Sequence, residues 1–126
     1  MGEFLIRKVA TGVKFDLRAG NGETIATSEV YKTEAACRKG IQSVQKNAPG
    51  AKLDDRTMEA EPLSCPKFEL YQDKAGAYRF RLRSRNGAII AVSEAYSTKS
   101  GCLDGIESVR NNVNSAENSN FSPNKY

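Results

Sequence analysis

Four arginines at a spacing of two residues are the most suggestive chemical feature of the sequence. A β-strand would place them on one face of a sheet, with Phe80 and Leu82 on the other face. A row of guanidinium groups is suited to contact phosphates, and the nearby Tyr71 is available to stack on a nucleobase. Weak nucleic-acid binding through this strand face is therefore one candidate function. The four residues are Arg79, Arg81, Arg83 and Arg85.

The same arginines are also consistent with an ordinary solvated sheet face. Glu69 and Asp73 fall on the outward side of the neighbouring predicted strand, where they would pair with the arginines across the sheet. We favour this structural interpretation, because a related segment earlier in the chain lacks the full arginine row. The corresponding residues there are Lys14, Asp16, Arg18 and Gly20.

A Ser-Glu-x-Tyr string occurs twice, at Ser28–Tyr31 and Ser93–Tyr96, each time between a predicted strand and a predicted helix. A serine beside a glutamate is not an activated nucleophile without a base. We therefore interpret these strings as loop hydrogen bonding near a helix start, with the tyrosine packed on the core. If a small ligand binds at a junction between the two segments instead, the candidates are Arg18, Glu29, Tyr31, Arg83, Glu94 and Tyr96.

The absence of histidine excludes several classes of catalysis. Ser-His-Asp and Cys-His mechanisms and histidine metal sites all need a residue that this chain lacks. The glycine patterns of dinucleotide and nucleoside-triphosphate loops are absent as well. The net charge of +4 is mild and would help to bind an acidic partner. We expect a protein without catalytic activity, cofactor or metal.

The cysteines indicate a reducing compartment. Three cysteines make an odd count, and no pair has the CxxC spacing typical of zinc sites. We expect Cys37 and Cys102 on an apolar helix face, and Cys65 in a more exposed linker. With no apolar run of ~18 residues and no signal-peptide pattern, the sequence predicts a cytoplasmic protein that does not enter the membrane.

The chain is a tandem repeat. Residues 15–47 align with residues 80–112 without a gap, with 17 identities in 33 positions. Further upstream, Phe4 aligns with Phe68 at an offset shorter by one residue, so the second copy has one extra residue in its first turn. Because one unit of about 45 residues has a marginal core by itself, we expect the two copies to share a core.

Each copy has the pattern of three strands followed by a helix. Apolar residues alternate in the first two strands, and Asn21-Gly22 or Asn86-Gly87 predicts a two-residue type I′ hairpin before the third. Thr33 and Thr98 fit as helix N-caps. The sequence thus predicts an α+β fold, a tandem repeat of β-β-β-α units with an antiparallel sheet and two helices packed on it. The predicted buried helix residues are Cys37, Ile41, Val44, Cys102, Ile106 and Val109.

The domain boundaries follow from the repeat. The first unit is assigned to residues 1–62 and the second to residues 63–113, with an Asn- and Ser-rich tail at 114–126 that we expect to be disordered. The connection Ala51–Pro66 is acidic, and Leu53–Met58 within it has the character of one more strand.

The combined motifs resemble the YegP-like UPF0339 family, a group of unknown function. The second copy carries the matching strings at Phe80–Arg83, Asn86-Gly87, Ser93–Tyr96 and Gly105–Val109. The first copy carries them at Phe15–Arg18, Asn21-Gly22, Ser28–Tyr31 and Gly40–Val44. The resemblance implies β(3)-α-β repeats that form one sheet with exchanged final strands, and a tandem chain that mimics a dimer. It implies no activity, substrate or cofactor.

We therefore predict a non-catalytic interaction or accessory module whose partner is unidentified, a protein partner being one option. Nucleic-acid binding through the arginine row is the alternative, and small-ligand binding at the repeat junction is a second alternative. Because a tandem pseudo-dimer uses its pairing surface internally, we predict a monomer.

Overall fold

The protein folds as one seven-stranded sheet with two helices, in a computed structural model that describes residues 2–115, and the side chains of residues 2–113. The predicted tail thus falls almost entirely outside the described residues. The strands lie in the order β1-β2-β3-β7-β6-β5-β4. The elements are β1 (Glu3–Val9), β2 (Gly12–Arg18), β3 (Thr24–Thr27), α1 (Glu34–Asn47), β4 (Lys52–Asp55), β5 (Lys67–Gln72), β6 (Tyr78–Arg83), β7 (Ile89–Val92) and α2 (Lys99–Ser115).

The two repeats have the same strand register apart from the first turn. Phe4 pairs with Leu17 in the first repeat, and Phe68 pairs with Leu82 in the second. Val9 at the end of β1 pairs with Gly12 at the start of β2, so these strands are joined by a tight turn. The segment 73–77, which joins β5 and β6, is longer. The extra residue predicted for the second copy is therefore confirmed.

The Asn-Gly hairpins differ from the predicted type I′ turns. The carbonyl of Ala19 accepts a hydrogen bond from the Gly22 N–H, and the Ser84 carbonyl accepts one from Gly87, so Asn and Gly are the third and fourth residues of each turn. Only the glycines have positive φ, 87° at Gly22 and 89° at Gly87. A type I turn followed by a left-handed glycine lets the asparagine keep a negative φ, which costs less than the type I′ turn.

The repeats meet at the centre of the sheet and exchange one strand. β3 pairs with β7 in antiparallel fashion through Thr27 and Val92. β4, which follows the helix of the first repeat, pairs in parallel with β5 of the second repeat. The sheet is thus mixed rather than wholly antiparallel, and the extra strand begins at Lys52 and ends at Asp55 instead of spanning Leu53–Met58. β4 can run parallel to β5 because the chain crosses the sheet through α1 before it forms β4.

A single core lies between the helices and one face of the sheet. All six predicted helix residues are buried in it, together with apolar residues from both repeats. Thr33 and Thr98 cap their helices by accepting hydrogen bonds from the Ala36 and Gly101 N–H groups, as predicted. Each helix also contacts the central strand of the other repeat, α1 against β7 and α2 against β3. Neither helix, as far as the chain is described, has the length and apolar character needed to cross a membrane.

Candidate functional site

The arginine row on β6 is held by carboxylates of the same sheet face. The Arg79 Nε lies 2.8 Å from an Asp73 carboxylate oxygen, and the Nε atoms of Arg81 and Arg83 lie 2.7 and 2.8 Å from Glu69 Oε1. The Arg81 guanidinium also lies 4.5 Å from the centre of the Tyr71 ring. The predicted pairing of Glu69 and Asp73 with the arginines is confirmed, and the ring predicted to be available for a nucleobase is covered by Arg81.

Glu69 is the centre of a buried charge network. Its other carboxylate oxygen lies 3.1 Å from the Lys67 ammonium, which also contacts buried Asp54 at 2.8 Å. Burial alone would raise the pKa of Glu69, but hydrogen bonds from Arg83, Arg81 and Lys67 outweigh it and lower the pKa to about 2. The Glu69 carboxylate therefore remains ionised at neutral pH and is paired with Arg81, Arg83 and Lys67.

Arg85 does not belong to the row. β6 ends at Arg83, and the chain turns at Ser84–Gly87, so Arg85 lies exposed in the connection to β7. Its backbone N–H donates to the Asn47 side chain at the end of α1, at 3.1 Å. The period-of-two prediction is wrong at this residue, because the turn reorients the chain before a fourth outward position is reached.

Ser28 and Ser93 have structural roles. Each hydroxyl accepts a hydrogen bond from the backbone N–H of the neighbouring strand, at Phe15 or Phe80, and donates to the carbonyl of the following glutamate. These are the loop hydrogen bonds that the sequence led us to favour. Arg18 lies at the end of β2, and its Nε is buried without a hydrogen-bond partner among the described residues.

Tyr31 and Tyr96 pack against the helices of their own repeats. Their rings stack on Phe15 and Phe80 at centroid distances of 6.4 Å. Each hydroxyl lies against a helix glycine, where an added Cβ would come within 2.3 Å of the oxygen. Burial raises the pKa of both tyrosines. The two glycines are Gly40 and Gly105, and the absence of a side chain there makes room for the tyrosine hydroxyls.

Glu29 and Glu94 do not form a shared carboxylate site. Both glutamates are exposed. Glu29 lies two residues after Thr27, and Glu94 lies two residues after Val92. Because Thr27 and Val92 pair in antiparallel strands, the two segments leave this pair in opposite directions. The two glutamates therefore lie on opposite sides of this pair. The geometry gives no pair of carboxylates for acid–base chemistry.

A groove of about 560 Å³ lies where the first repeat meets the second, and we call it the junction groove. One wall of the groove is α1 of the first repeat, and the other wall is the β6–β7 turn of the second repeat. Gly50 and Pro66, which lie in the connection between the repeats, also line the groove. The lining residues are Lys39, Gln42, Ser43, Lys46, Asn47, Gly50, Pro66, Ser84, Arg85 and Asn86.

The side chains that α1 contributes to the junction groove lie in one stripe along the helix. Lys39, Gln42, Ser43 and Lys46 are spaced by three, one and three residues, so they lie on one side of α1, and Ile41 and Val44 face the core. Asn47 ends this stripe and joins the two walls. Its Nδ2 donates to the Ser43 carbonyl at 2.8 Å, and its Oδ1 accepts the turn's backbone N–H.

The junction groove is positively charged. Lys39, Lys46 and Arg85 are exposed, and none of the three forms an ion pair with another residue that the structure describes. No carboxylate is among the lining residues, in contrast to the arginine row with Glu69 and Asp73. Such an arrangement attracts anions, since the charges are uncompensated and focused in a concave site.

Sequence reasoning named a ligand site at the repeat junction as an alternative, but none of its candidate residues lines the groove, because the walls of the groove come from different repeats. Lys39 and Arg85 are far apart in the chain, and only the packing of α1 against the turn brings them together. One signal was present: Lys39 and Lys46 lie seven residues apart on the polar side of a predicted helix, and neither has a lysine or arginine at the equivalent position of the second copy.

The remaining candidates for chemistry are metal ligands and the cysteine thiols. Between residues 2 and 115 no three histidine, cysteine, aspartate or glutamate side chains gather to hold a metal ion. Burial raises the pKa of the Cys37 and Cys102 thiols to about 11, which keeps them protonated at neutral pH. Cys65 is half-buried, as expected for the more exposed of the three.

Comparison with known proteins finds the same repeat elsewhere. A domain of unknown function (DUF1508) matches residues 10–55 and again residues 73–119. A UPF0339 protein of Photorhabdus laumondii is 40% identical over 94 residues, which cover 75% of this chain and 70% of that protein. A UPF0339 protein of Treponema denticola is 62% identical over 47 residues, 37% of this chain and 81% of its own length, so a single repeat makes up most of that relative.

Solved structures agree with the fold. The solution structure of YegP from E. coli, described as a protein of unknown function, has a TM-score of 0.77 and 32% identity, and covers 98% of this chain and 92% of YegP. A UPF0339 protein from Shewanella oneidensis has a TM-score of 0.74 and 31% identity, over 97% of this chain and 90% of its own. The resemblance drawn from the motifs and the α+β repeat fold are thereby confirmed.

Proposed function

This chain belongs to the UPF0339 family, whose repeat is a domain of unknown function, and from that premise we propose that it is a non-catalytic binding module that takes an anionic ligand in the junction groove. The observation that carries the proposal is the convergence of Lys39, Lys46 and Arg85 on one concave surface without a lining carboxylate. Charge-assisted hydrogen bonds from such groups are the strongest that a protein offers to an anion.

The arginine row supports this choice by contrast. A phosphate that bound at Arg81 or Arg83 would have to replace the Glu69 carboxylate, which is buried and hydrogen-bonded to both. Displacing it would leave a buried charge without its partners, which is costly. Nucleic-acid binding through this face is therefore less favoured than ligand binding at the repeat junction, and Arg79, Arg81 and Arg83 act as structural residues in our proposal.

We propose further that the protein acts as a monomer in the cytoplasm. The central β3–β7 pairing and the exchanged strand β4 already join the two repeats within one chain. Cys37, Cys65 and Cys102 are free thiols, which suits a reducing compartment. Light scattering coupled to size-exclusion chromatography tests the oligomeric state, and a dimer at micromolar concentration would contradict the proposal.

The binding proposal is tested by NMR titration of the ¹⁵N-labelled protein with phosphate and with citrate at constant ionic strength. We expect chemical-shift changes that concentrate on α1 and the β6–β7 turn and that are lost in the variant Lys39→Asp. The matched control is Lys74→Asp, which makes the same charge change at an exposed residue in the β5–β6 turn. Shifts that persist in Lys39→Asp, or that centre on the arginine row, would contradict the proposal.

A further inference from the structure

We propose that the ligand of the junction groove is a compact molecule with two or more linked phosphate groups, whose organic part contributes little to binding. This inference rests on the proposed function and specifies the ligand class of the same site. Three features of the groove support it: the hydrogen-bonding character of its lining, the spacing of its cations, and the kind of side chains that it lacks.

Two polar side chains of the groove, Ser43 and Asn86, are left with donors for a ligand. The Ser43 Oγ accepts a hydrogen bond from Asn47, so its O–H is left to donate. The Asn86 Oδ1 accepts from the Ser84 hydroxyl and from the Ala88 N–H, so its Nδ2 group is left to donate. Together with the three cations, these groups match a ligand whose polar atoms only accept, as phosphate oxygens do.

The spacing of the cations favours more than one phosphate. Lys39 and Lys46 are seven residues apart on α1, which corresponds to about 10.5 Å along the helix axis, and Arg85 lies across the groove on the opposite wall. Converging on a single phosphate would restrict both flexible lysine side chains, at a cost in rotamer entropy. A chain of two or three phosphates can meet each cation near its preferred position, and its charge matches theirs.

The groove also lacks the means to recognise a nucleobase. None of its lining residues is aromatic, and stacking on aromatic rings is the main way in which proteins hold an unpaired base. Its volume of about 560 Å³ is within the range of small-molecule sites. A nucleoside attached to the phosphates would therefore gain few contacts.

The test is isothermal titration calorimetry of the full chain with phosphate, pyrophosphate and tripolyphosphate at constant ionic strength. We expect affinity to rise about tenfold with each added phosphate. ATP should bind within about threefold of tripolyphosphate, and citrate at least about tenfold more weakly. The variants Lys46→Asn and Arg85→Gly, which introduce the residues found at the equivalent positions of the second and first copies, should each weaken tripolyphosphate binding about tenfold.

The outcomes separate the ligand class from the site. Citrate binding as tightly as tripolyphosphate, with both sensitive to Lys46→Asn, would overturn the phosphate inference and leave the anion groove intact. The same holds if ATP or a 12-nucleotide single strand binds more than about tenfold tighter than tripolyphosphate and loses affinity in the groove variants. If no anion responds to Lys46→Asn or Arg85→Gly more than to the control Lys74→Asp, the inference and the proposed function both fail.

Discussion

The polar face of α1 and the corresponding face of α2 are built alike but charged differently. In α1 the Asn47 Nδ2 donates to the Ser43 carbonyl and hydroxyl at 2.8 and 3.2 Å, and in α2 Asn112 makes the same two bonds to Ser108 at the same distances. The residues that fix the end of each helix have therefore been kept in both repeats.

The charged residues around these asparagines have diverged. Where the first helix has Lys39 and Lys46, the second has acidic and neutral residues, and the arginine of one turn is a glycine in the other. Repeated residues in this protein thus explain the fold, and the residues that differ between repeats define the candidate site. The three pairs are Lys39 with Asp104, Lys46 with Asn111, and Arg85 with Gly20.

The face of the sheet that points away from the helices also differs between the two repeats. In the first repeat Leu5 lies opposite Asp16, whereas in the second repeat Glu69 lies opposite Arg81. The buried network around Glu69 therefore exists in one repeat only. The following predictions test which of these differences affect stability and which affect binding.

The largest effect on stability is expected from Glu69→Gln. The pKa of this carboxyl is about 2 in the folded protein against an ordinary 4.5, so its ionised form stabilises the fold above pH 4.5. That contribution is lost as pH falls from 4.5 towards 2. We expect Glu69→Gln to lower the free energy of unfolding by about 3 kcal/mol at pH 7 and by little at pH 2.

Urea unfolding at several pH values measures this difference. The matched control is Glu29→Gln, which removes the same charge from an exposed glutamate of the first repeat and should change the free energy of unfolding by less than about 0.5 kcal/mol. A pH-independent loss in Glu69→Gln would show that packing, rather than charge, accounts for its effect.

Gly40→Ala and Gly105→Ala should destabilise both repeats equally. In each case the new Cβ would lie 2.3 Å from a tyrosine hydroxyl, so the ring that stacks on Phe15 or Phe80 must move. We expect a loss of about 2 kcal/mol from either substitution, within the usual range for overpacking. Thermal and urea unfolding measure it.

Gly50→Ala is the control for these two variants, because an added Cβ there meets no atom within 4 Å. It should change stability by less than about 0.5 kcal/mol. If only one of the two helix glycines is sensitive, the tyrosine contact is not equivalent in the two repeats and the symmetry argued for their packing fails.

Asn47→Ala should have a smaller effect on stability and a specific effect on binding. The Asn47 Oδ1 accepts a hydrogen bond from the Arg85 backbone N–H, so its loss removes a partly buried hydrogen bond and releases one wall of the groove. We expect about 1 kcal/mol of destabilisation and weaker tripolyphosphate binding. Asn112→Ala should cost similar stability, as measured by urea unfolding, without affecting the anion titration. Equal effects of both variants on binding would contradict a one-sided site.

Much of the fold is predictable because it depends on local patterns. Alternating residues such as Phe15 and Leu17, the N-cap Thr33 and the helix spacing of Cys37, Ile41 and Val44 all indicate their structures within a few residues. The internal repeat then doubles the evidence for each element. The tandem pseudo-dimer followed from the resemblance to the UPF0339 family, which the repeated motifs carry.

The features that were missed depend on longer-range geometry. The parallel pairing of Lys52–Asp55 with β5 requires a chain that has crossed the sheet, which no alternation pattern reports. The position of Arg85 depends on how the turn at Ser84–Gly87 is closed, and the asparagine and glycine there are compatible with more than one turn type. The junction groove needs both the turn and the helix of the other repeat in place.

The smallest change in stability is expected from moving the groove's charges to the second helix. In the quadruple variant Asp104→Lys, Glu107→Gln, Asn111→Lys, Gly20→Arg, exposed positions of the second repeat receive the residues that line the groove of the first. Surface substitutions of this kind usually change the free energy of unfolding by less than about 0.5 kcal/mol. Because Ser108 and Asn112 already match Ser43 and Asn47, and because the variant also removes the Glu107 carboxylate at the position equivalent to Gln42, the charges of the two faces then agree at these positions. We therefore expect a second tripolyphosphate site, measured by calorimetry as a stoichiometry that rises from one towards two.

A stoichiometry that stays at one, with the variant folded, would mean that the junction groove depends on its shape as well as its charge, and that Gly50 and Pro66 contribute something that the second repeat lacks.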